Sequence, residues 1–376
     1  MNLSASRPTI PNLIVGGGLA GSMLAIRLAA AGHEVTLLEK QTAPHHKVCG
    51  EFLSREAVQY LRQAGVDPVE LGALPIRLVR LSSKQSIVEA PLPFTALSLS
   101  RFALDEALLN RAAAYGCSVR RGVTVEALTP DGTAWRAHLR GGQSIQATTA
   151  FLATGKHDLR GWDRAPERQT GLVGFKMHWK LAATQIAALR EAIELFLFPG
   201  GYGGLSLIEG DAANLCLVVR SARLRKLGGW PQLLSSLLAE NRTLGERMKG
   251  AQPLWDRPLA VSSLPFGYLA GQPSGPWRIG DQAAVIPPFT GDGMSIAFHS
   301  ATLAARLHLE GKTPASYYKQ LRAELSRGMS LATLLSQAMV SAPGRALAPF
   351  ALSLFPGVMP RIALNTRIPE HAMQTS

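Results

Sequence analysis

Gly16, Gly18 and Gly21 form a G-x-G-x-x-G within Gly16-Gly17-Gly18-Leu19-Ala20-Gly21, and the acid Glu39 follows downstream. Each position has a job in holding a dinucleotide. Gly16 permits a tight turn, Gly18 lets the backbone approach a pyrophosphate, and Gly21 lets a helix pack close to a strand. Leu19 and Ala20 open that helix, where free N–H groups and the dipole receive phosphate charge. Glu39, followed by Lys40, can accept a hydrogen bond from a ribose hydroxyl. An acid there, rather than an arginine, favours FAD or NAD over NADP and does not separate the first two.

A second group lies far downstream, in Gly280-Asp281 and Pro287-Pro288-Phe289-Thr290-Gly291-Asp292-Gly293-Met294. The Asp281 carboxylate can hold sugar or ribityl hydroxyls. The turn from Pro288 through Gly291 and Gly293 opens another helix at Met294, whose backbone donors suit a carbonyl that gains negative charge. Two such half-sites are what a long cofactor with a ribityl chain needs, so the first motif is read as an FAD anchor. Arg101 starts a helix where an acid is preferred on dipole grounds, which points to an anionic partner. Thr154-Gly155 closes an apolar strand, a place where ligands gather in a doubly wound sheet. Cys49 lies beside His45, His46 and Lys47, yet no second pair with metal-ligand spacing accompanies it, so no metal is expected.

These residues need positioning elements. Leu13–Val15, the helix formers Met23–Ala31 stopped by Gly32, and Val35–Leu38 make strand, helix and strand. Ser54–Ala64 and Phe102–Tyr115 read as amphipathic helices, with Ser54 as a cap for the first. Cys117–Val119, Thr124–Leu128, Trp135–Leu139, Ser144–Ala147 and Ala150–Gly155 read as strands, and Met294–Leu309 as a helix. Ile76–Ser98 and Gly171–Val219 are strand-rich, with helical Thr184–Ala192 and Trp230–Arg247 and one more strand at Val261–Tyr268. The fold expected is α/β: a Rossmann-like FAD-binding domain of glutathione-reductase type (1–75, 99–170 and 269–312). An interleaved, mainly antiparallel β-sheet substrate domain (76–98 and 171–268) covers the reactive end of the cofactor. The C-terminal region (313–376) is helical, apolar and basic, with Leu331–Val340 and Leu347–Val358 read as packing on the FAD domain, as a lid, or as a membrane-surface helix.

Of the 376 residues 47% are hydrophobic and 17% charged, which describes a chain with an ample core. The formal charge is +13, suited to nucleic acid, an anionic membrane surface, or anionic cofactors and substrates. No basic run of five or more and no zinc-finger or RNA-binding signature exists, which argues against nucleic acid. Cys49, Cys117 and Cys216 are odd in number and far apart, which excludes a disulfide framework and suits a reducing cytosol. No apolar signal segment precedes the first strand and no stretch makes a convincing membrane span, so a cytoplasmic protein is expected, with peripheral membrane contact through the C-terminal region left open.

At these motifs the chain resembles the FAD-dependent oxidoreductases of the p-hydroxybenzoate hydroxylase fold. Within them it is similar to the geranylgeranyl-reductase-like branch of flavin-dependent dehydrogenases and monooxygenases. The resemblance spans about residues 10–310. It implies that Arg101, with Leu104-Asp105 and Leu108, reaches the cofactor, that Val125 contacts adenine through its backbone, and that Gly280-Asp281 binds the ribityl chain. Val48-Cys49-Gly50-Glu51 resembles the Cys-Gly-Glu of the reductase branch and places Gly50 at the cofactor. Pro199-Gly200-Gly201-Tyr202-Gly203 is similar to the start of that branch's substrate motif. Two departures stand out. The usual Asp-Gly after the strand ending near Gly155 is Gly155-Lys156-His157-Asp158, which leaves open whether NADH or NADPH acts directly or through a partner flavin reductase or electron-transfer protein. The aromatic residues after Tyr202 are replaced by Gly204 and Ser206.

The reaction expected first is monooxygenation, in which a flavin peroxide hydroxylates a hydrophobic aromatic or polyketide-like small molecule. The second is reduction of a carbon–carbon double bond in an isoprenoid-like substrate, and the third reading is a non-catalytic flavin-binding module. Cys49, Tyr202 and His178 are the catalytic candidates. FAD does the hard chemistry, while the protein orients it and excludes water.

Overall fold

The computed structural model describes residues 9–84, 86–164, 171–271, 274–347 and 357–374. In chain order the first strands are β1 (Ile10–Val15), β2 (Val35–Glu39), β3 (Phe52–Leu53), β4 (Leu74–Ser83), β5 (Ser86–Ser98), β6 (Ser118–Arg121), β7 (Val125–Asp131), β8 (Ala134–Leu139) and β9 (Ser144–Leu152). They are followed by β10 (Leu172–Lys180), β11 (Ala192–Phe198), β12 (Gly201–Leu207), β13 (Ala213–Arg220), β14 (Gln252–Pro253), β15 (Leu259–Val261), β16 (Tyr268–Leu269), β17 (Trp277–Arg278) and β18 (Ala284–Val285). The helices are α1 (Leu19–Ala30), α2 (Arg55–Gln63), α3 (Arg101–Ala114), α4 (Ala183–Leu189), α5 (Ser221–Leu227), α6 (Trp230–Glu240), α7 (Arg242–Arg247), α8 (Gly293–Leu309), α9 (Pro314–Val340), α10 (Val358–Asn365) and α11 (Glu370–Gln374).

The first sheet runs β6-β2-β1-β9-β8-β7, with β17 also on β9. β1 is parallel to both β2 and β9, in register Leu13↔Thr36 and Leu13↔Ala150. Leu13, Ile14 and Val15 are all buried because a parallel strand is covered on both faces, which is why the run reads as continuously apolar. α1 lies over this sheet, packed against α3 and α8.

The second sheet runs β14-β10-β13-β12-β11-β4-β5-β3, with β15 also on β10. Every pairing in it is antiparallel except β4 with β11. A parallel pair needs a long crossover, and here the crossover is most of the first sheet: the chain leaves after β5, builds α3 and β6–β9, and returns at β10. That is the physical form of the interleaving. Residues on β10 alternate between two environments. Phe175, Met177 and Trp179 join leucines of α4, α6 and α7 in one core, while Lys176 and His178 bond to Glu51 on the other face.

Ser144–Ala147 and Ala150–Gly155, expected as two strands, run on as the single strand β9, and three further elements differ in detail. Val261–Tyr268 is not one strand: Ser263 (φ 58), Pro265 and Gly267 (φ 91) break it, and Tyr268–Leu269 pairs instead with Ala284–Val285. Trp230–Arg247 is two helices, because the Asn241 side chain accepts the Leu244 N–H (2.9 Å) and starts α7. Thr184–Ala192 stops at Leu189, where Glu191 (φ 58) turns the chain into β11. In the C-terminal region α9 packs on α8, β11, β12 and the turn Pro288–Thr290, and α10 on β5. Of the apolar stretch Leu347–Val358, residues 348–356 lie outside the described residues. Among the described residues no helix is long and apolar enough to cross a membrane.

Candidate cofactor and substrate site

One cavity of about 1150 Å³ runs between the two sheets. Gly16, Gly18, Glu39, Lys40 and Val125 line one end of it. At Gly16 (φ 112) a Cβ would lie 2.4 Å from the Ala153 carbonyl oxygen, so the turn admits only glycine. Gly18 is open: the nearest atoms to a Cβ there are Lys47 Nζ (3.6 Å) and Arg101 Nη2 (3.7 Å). Two cations thus stand over the uncapped N-terminus of α1, and that arrangement suits a pyrophosphate. Leu19 and Ala20 line the cavity as well. Gly21 does not. A Cβ there would lie 1.9 Å from the Gly16 oxygen, so this glycine serves the close helix–strand contact. Glu39 is held by the backbone, with the Gly17 N–H donating to Oε2 (2.7 Å) and the Gln41 N–H to Oε1 (2.9 Å).

Arg101 donates to Asp105 through Nε (2.7 Å) and Nη2 (2.9 Å), and Lys47 Nζ reaches the same carboxylate at 2.7 Å. Burial alone would raise the Asp105 pKa, but Arg101 and then Lys47 hold it below the ordinary range. Burial likewise opposes the Arg101 charge and is outweighed chiefly by Asp105, so the guanidinium stays protonated.

Gly280, Asp281, Pro288, Gly291, Gly293 and Met294 line the next section. Gly280 is fixed by its N–H to Ser300 Oγ (2.8 Å), and its φ of 61 is one a glycine accepts without strain. Thr154 and Gly155 form the facing wall, tied to this turn by Gln282 Nε2 on the Gly155 oxygen (2.8 Å). An open glycine turn, two cations over it, and a carboxylate-bearing turn farther along one cavity are the features an FAD requires, and the residues present fit that cofactor. Asp292, at the start of α8, is buried and pairs with Arg367 of the C-terminal region (2.5 Å). Burial nevertheless lifts its pKa above the ordinary value, with Arg367 opposing the rise.

Beyond the turn the walls become apolar. Val79, Leu81, Leu92, Ile193 and Leu195 come from the second sheet, and Leu335, Met339, Met359, Ile362 and Ala363 from α9 and α10. The C-terminal region therefore both packs on the core and closes the cavity. Cys49 and Gly50 line its floor, with Ser206 and Cys216 nearby on the second sheet. Tyr202 also lines it, but its hydroxyl meets Ser336 Oγ of α9 (3.0 Å) and its ring meets Phe289 edge-on. Burial pushes that phenol well above its ordinary pKa, so Tyr202 joins the sheet to the C-terminal region as a neutral hydrogen-bonding group.

His178 is not on the cavity wall. It is 3% exposed, with Nε2 2.9 Å from Glu51 Oε2. Glu51 is the residue that sequence reasoning left without a role. It is wholly buried at φ 57, and it accepts bonds from Lys176 Nζ and from the Arg101 backbone N–H (2.7 Å). Burial would raise its pKa; the bond from His178 and the Lys176 charge win and hold it below the ordinary range. The His46 ring stacks on Phe102 (5.0 Å), meets His178 edge-on (4.9 Å) and lies tilted against Trp255 (4.6 Å). Burial, reinforced by Lys176 and His178, presses its pKa down to about 4. Ligand atoms of His46, Glu51 and His178 lie within 4.8 Å of one another, a spacing that could hold a metal ion. The Lys176 ammonium already balances the Glu51 charge there, and this makes the cluster an ion-pair hub. The loop Cys49-Gly50-Glu51 and His178 each carried a signal, but their meeting did not, and Lys176 carried none; Lys176 and His178 sit in an apolar strand more than a hundred residues away.

The sequence profile of a family described as an FAD binding domain matches residues 9–151. The chain is 25% identical to a menaquinone reductase of Mycolicibacterium smegmatis over 349 residues, covering 86% of this chain and 83% of that protein. It is 26% identical to a menaquinone reductase of Mycobacterium tuberculosis over 343 residues, covering 86% and 82%. In fold it is similar to the flavin-dependent brominase Bmp2, with a TM-score of 0.77 at 18% identity over 96% of this chain and 93% of that one. The architecture is thus the expected α/β fold with two sheets and a helical C-terminal region, and its first segment is of the FAD-binding kind.

Proposed function

We propose that this protein is an FAD-dependent oxidoreductase that reduces a carbon–carbon double bond in a long, apolar, isoprenoid-like substrate. The observation that carries this reading is the apolar extension of the cavity, walled by Leu81, Ile193, Leu195, Met339 and Ile362 and continuous with the Pro288–Met294 turn. A hydrocarbon chain gains free energy in such a space at about 25 cal/mol per Å² of apolar surface removed from water. The likeness to menaquinone reductases over most of both chains supports the same substrate class.

Bound, reduced FAD supplies the hydride. The protein's part is orientation, dryness and a proton. Gly18, Lys47 and Arg101 would hold the phosphates, and the backbone donors at Gly293–Met294 would serve a carbonyl that gains negative charge. Cys49 lines the cavity, with its Sγ accepting the Glu51 N–H at 3.4 Å. In this reading its S–H gives the proton to the carbon next to the one that takes the hydride. The electron donor is NADH or NADPH, used directly or through a partner reductase.

Hydroxylation of an aromatic or polyketide-like molecule is the second reading. It is favoured by the polar groups His46, Ser206 and Cys216 on the cavity wall, where a phenolic oxygen could sit. Anaerobic incubation of the dithionite-reduced holoprotein with menaquinone separates the two. After reoxidation in air, a product two hydrogens heavier supports reduction of the chain. An unchanged quinone, together with oxygen incorporation in aerated reactions, would sink the reductase reading.

A further inference from the structure

We propose that the outer side of α9 and α10, with the arginines beside it, docks on an anionic phospholipid bilayer. Both helices are two-faced. Leu335 and Met339 of α9 and Met359, Ile362 and Ala363 of α10 look into the apolar cavity. Leu334, next to Leu335, is 67% exposed, and Leu364, next to Ala363, is 50% exposed. Leu347 (62%) and Val358 (36%) add to the same region of the chain. Four of the ten exposed large hydrophobic residues among the described residues thus fall between positions 334 and 364, where an ordinary surface would scatter them.

Charge identifies the partner. Residues 301–376 carry eight Lys and Arg and only three acids. Each of those acids already has a partner: Glu310 holds Arg306 (3.0 Å), Glu324 holds His299 (2.7 Å) and Glu370 holds Arg55 (2.8 Å). Arg345, two residues before Leu347, lies near Arg223 and Arg220, of which Arg223 is paired with Glu240 (2.7 Å). Arg225 and Lys226 follow on α5. Leucines set in a region where basic side chains outnumber acids eight to three match a surface that is apolar below and anionic at its face. A protein partner of ordinary composition would not supply a continuous negative plane. The docking rests on the apolar-substrate reading for its purpose alone: a lipid-soluble molecule would pass from the bilayer to a cavity walled by the same two helices.

Flotation of the FAD-loaded protein with vesicles, read by flavin fluorescence, tests this. Vesicles containing phosphatidylglycerol should carry the protein at low salt; phosphatidylcholine vesicles should carry about tenfold less, and high salt should release it. Leu334→Glu with Leu364→Glu, or Arg345→Glu, should lower the bound fraction about tenfold while flavin content stays the same. Failure to float with anionic vesicles overturns the proposal, as does flotation that these variants leave unchanged. So would a protein that is dimeric without lipid and becomes monomeric in Leu334→Glu, because a second copy would then be the occupant. Turnover of a short, water-soluble alkene without flotation would remove the docking and keep the enzyme; flotation without any turnover would do the reverse.

Discussion

Glu51 ties three distant parts of the chain at one carboxylate: the Cys49 loop, the start of α3 through the Arg101 N–H, and β10 through Lys176 and His178. Removing its charge strands a wholly buried ammonium, and breaking a buried pair in this way costs about 3–5 kcal/mol. Glu51→Gln should therefore lower the unfolding midpoint strongly in a thermal melt; an unchanged midpoint would overturn the buried-pair account of this cluster. The sign with pH follows from the depressed pKa of the folded carboxylate. Its stabilisation is present above the unfolded value of about 4.3 and is lost as pH falls through the folded value. Acid melts of the native protein should be steeper than those of Glu51→Gln. Cys49 stands on the same loop, and Cys49→Ser should slow reduction by roughly 10²–10⁴-fold while flavin binding persists; turnover at the native rate would place the proton elsewhere. The loop was legible because its three residues are contiguous. Lys176, and the Glu51 partner of His178, were not, because period-2 alternation inside an apolar strand says which residues share a face and not what meets them.

At the scale of elements, the opening strand-turn-helix was legible almost to its boundaries, because every constraint on it is local. Gly21 shows the limit of its tolerance. A side chain there meets the Gly16 oxygen, and overpacking of that kind costs about 1–3 kcal/mol. Gly21→Val should weaken FAD binding by about tenfold or more, at 1.4 kcal/mol per tenfold, as read by fluorescence titration. Where β12 faces the cavity the outcome reverses. A Cβ on Gly204 would sit 3.4 Å from Leu195 Cδ2 and 3.9 Å from Ile193 Cδ1, ordinary contacts. Gly204→Phe should fold, keep FAD and project into the apolar section, so KM should rise about tenfold for long-chain substrates and change little for short ones. Equal effects on both lengths would mean that the chain lies elsewhere. The second sheet's strands were visible one by one. Their order was not, since the parallel β4–β11 pair joins segments more than a hundred residues apart.

The whole molecule is closed by its last described residues. Arg367 reaches back to Asp292 at the start of α8 and to the Thr290 carbonyl (3.2 Å), with its guanidinium 4.9 Å over the Phe94 ring. One side chain thus connects the C-terminal region, the Pro288–Thr290 turn and the second sheet. Composition suggested that the region was helical and apolar, yet it could not choose between packing, lid and membrane, because one apolar helix can bury two faces in different media. Both ends of the Arg367–Asp292 pair are nearly inaccessible to water, so its loss resembles that of a buried pair and costs about 3–5 kcal/mol. If this contact closes the cavity, the cost should fall on closure rather than on the fold as a whole. Arg367→Met keeps the aliphatic stem over Phe94 and removes the charge. It should speed FAD release and raise KM for apolar substrates, with the circular dichroism spectrum unchanged. Stopped-flow capture of the released FAD by an excess of an apoprotein that binds FAD tightly measures the release. A variant that unfolds outright would show that the contact supports the core, and one that releases FAD at the native rate would show that closure depends on the apolar faces of α9 and α10 alone.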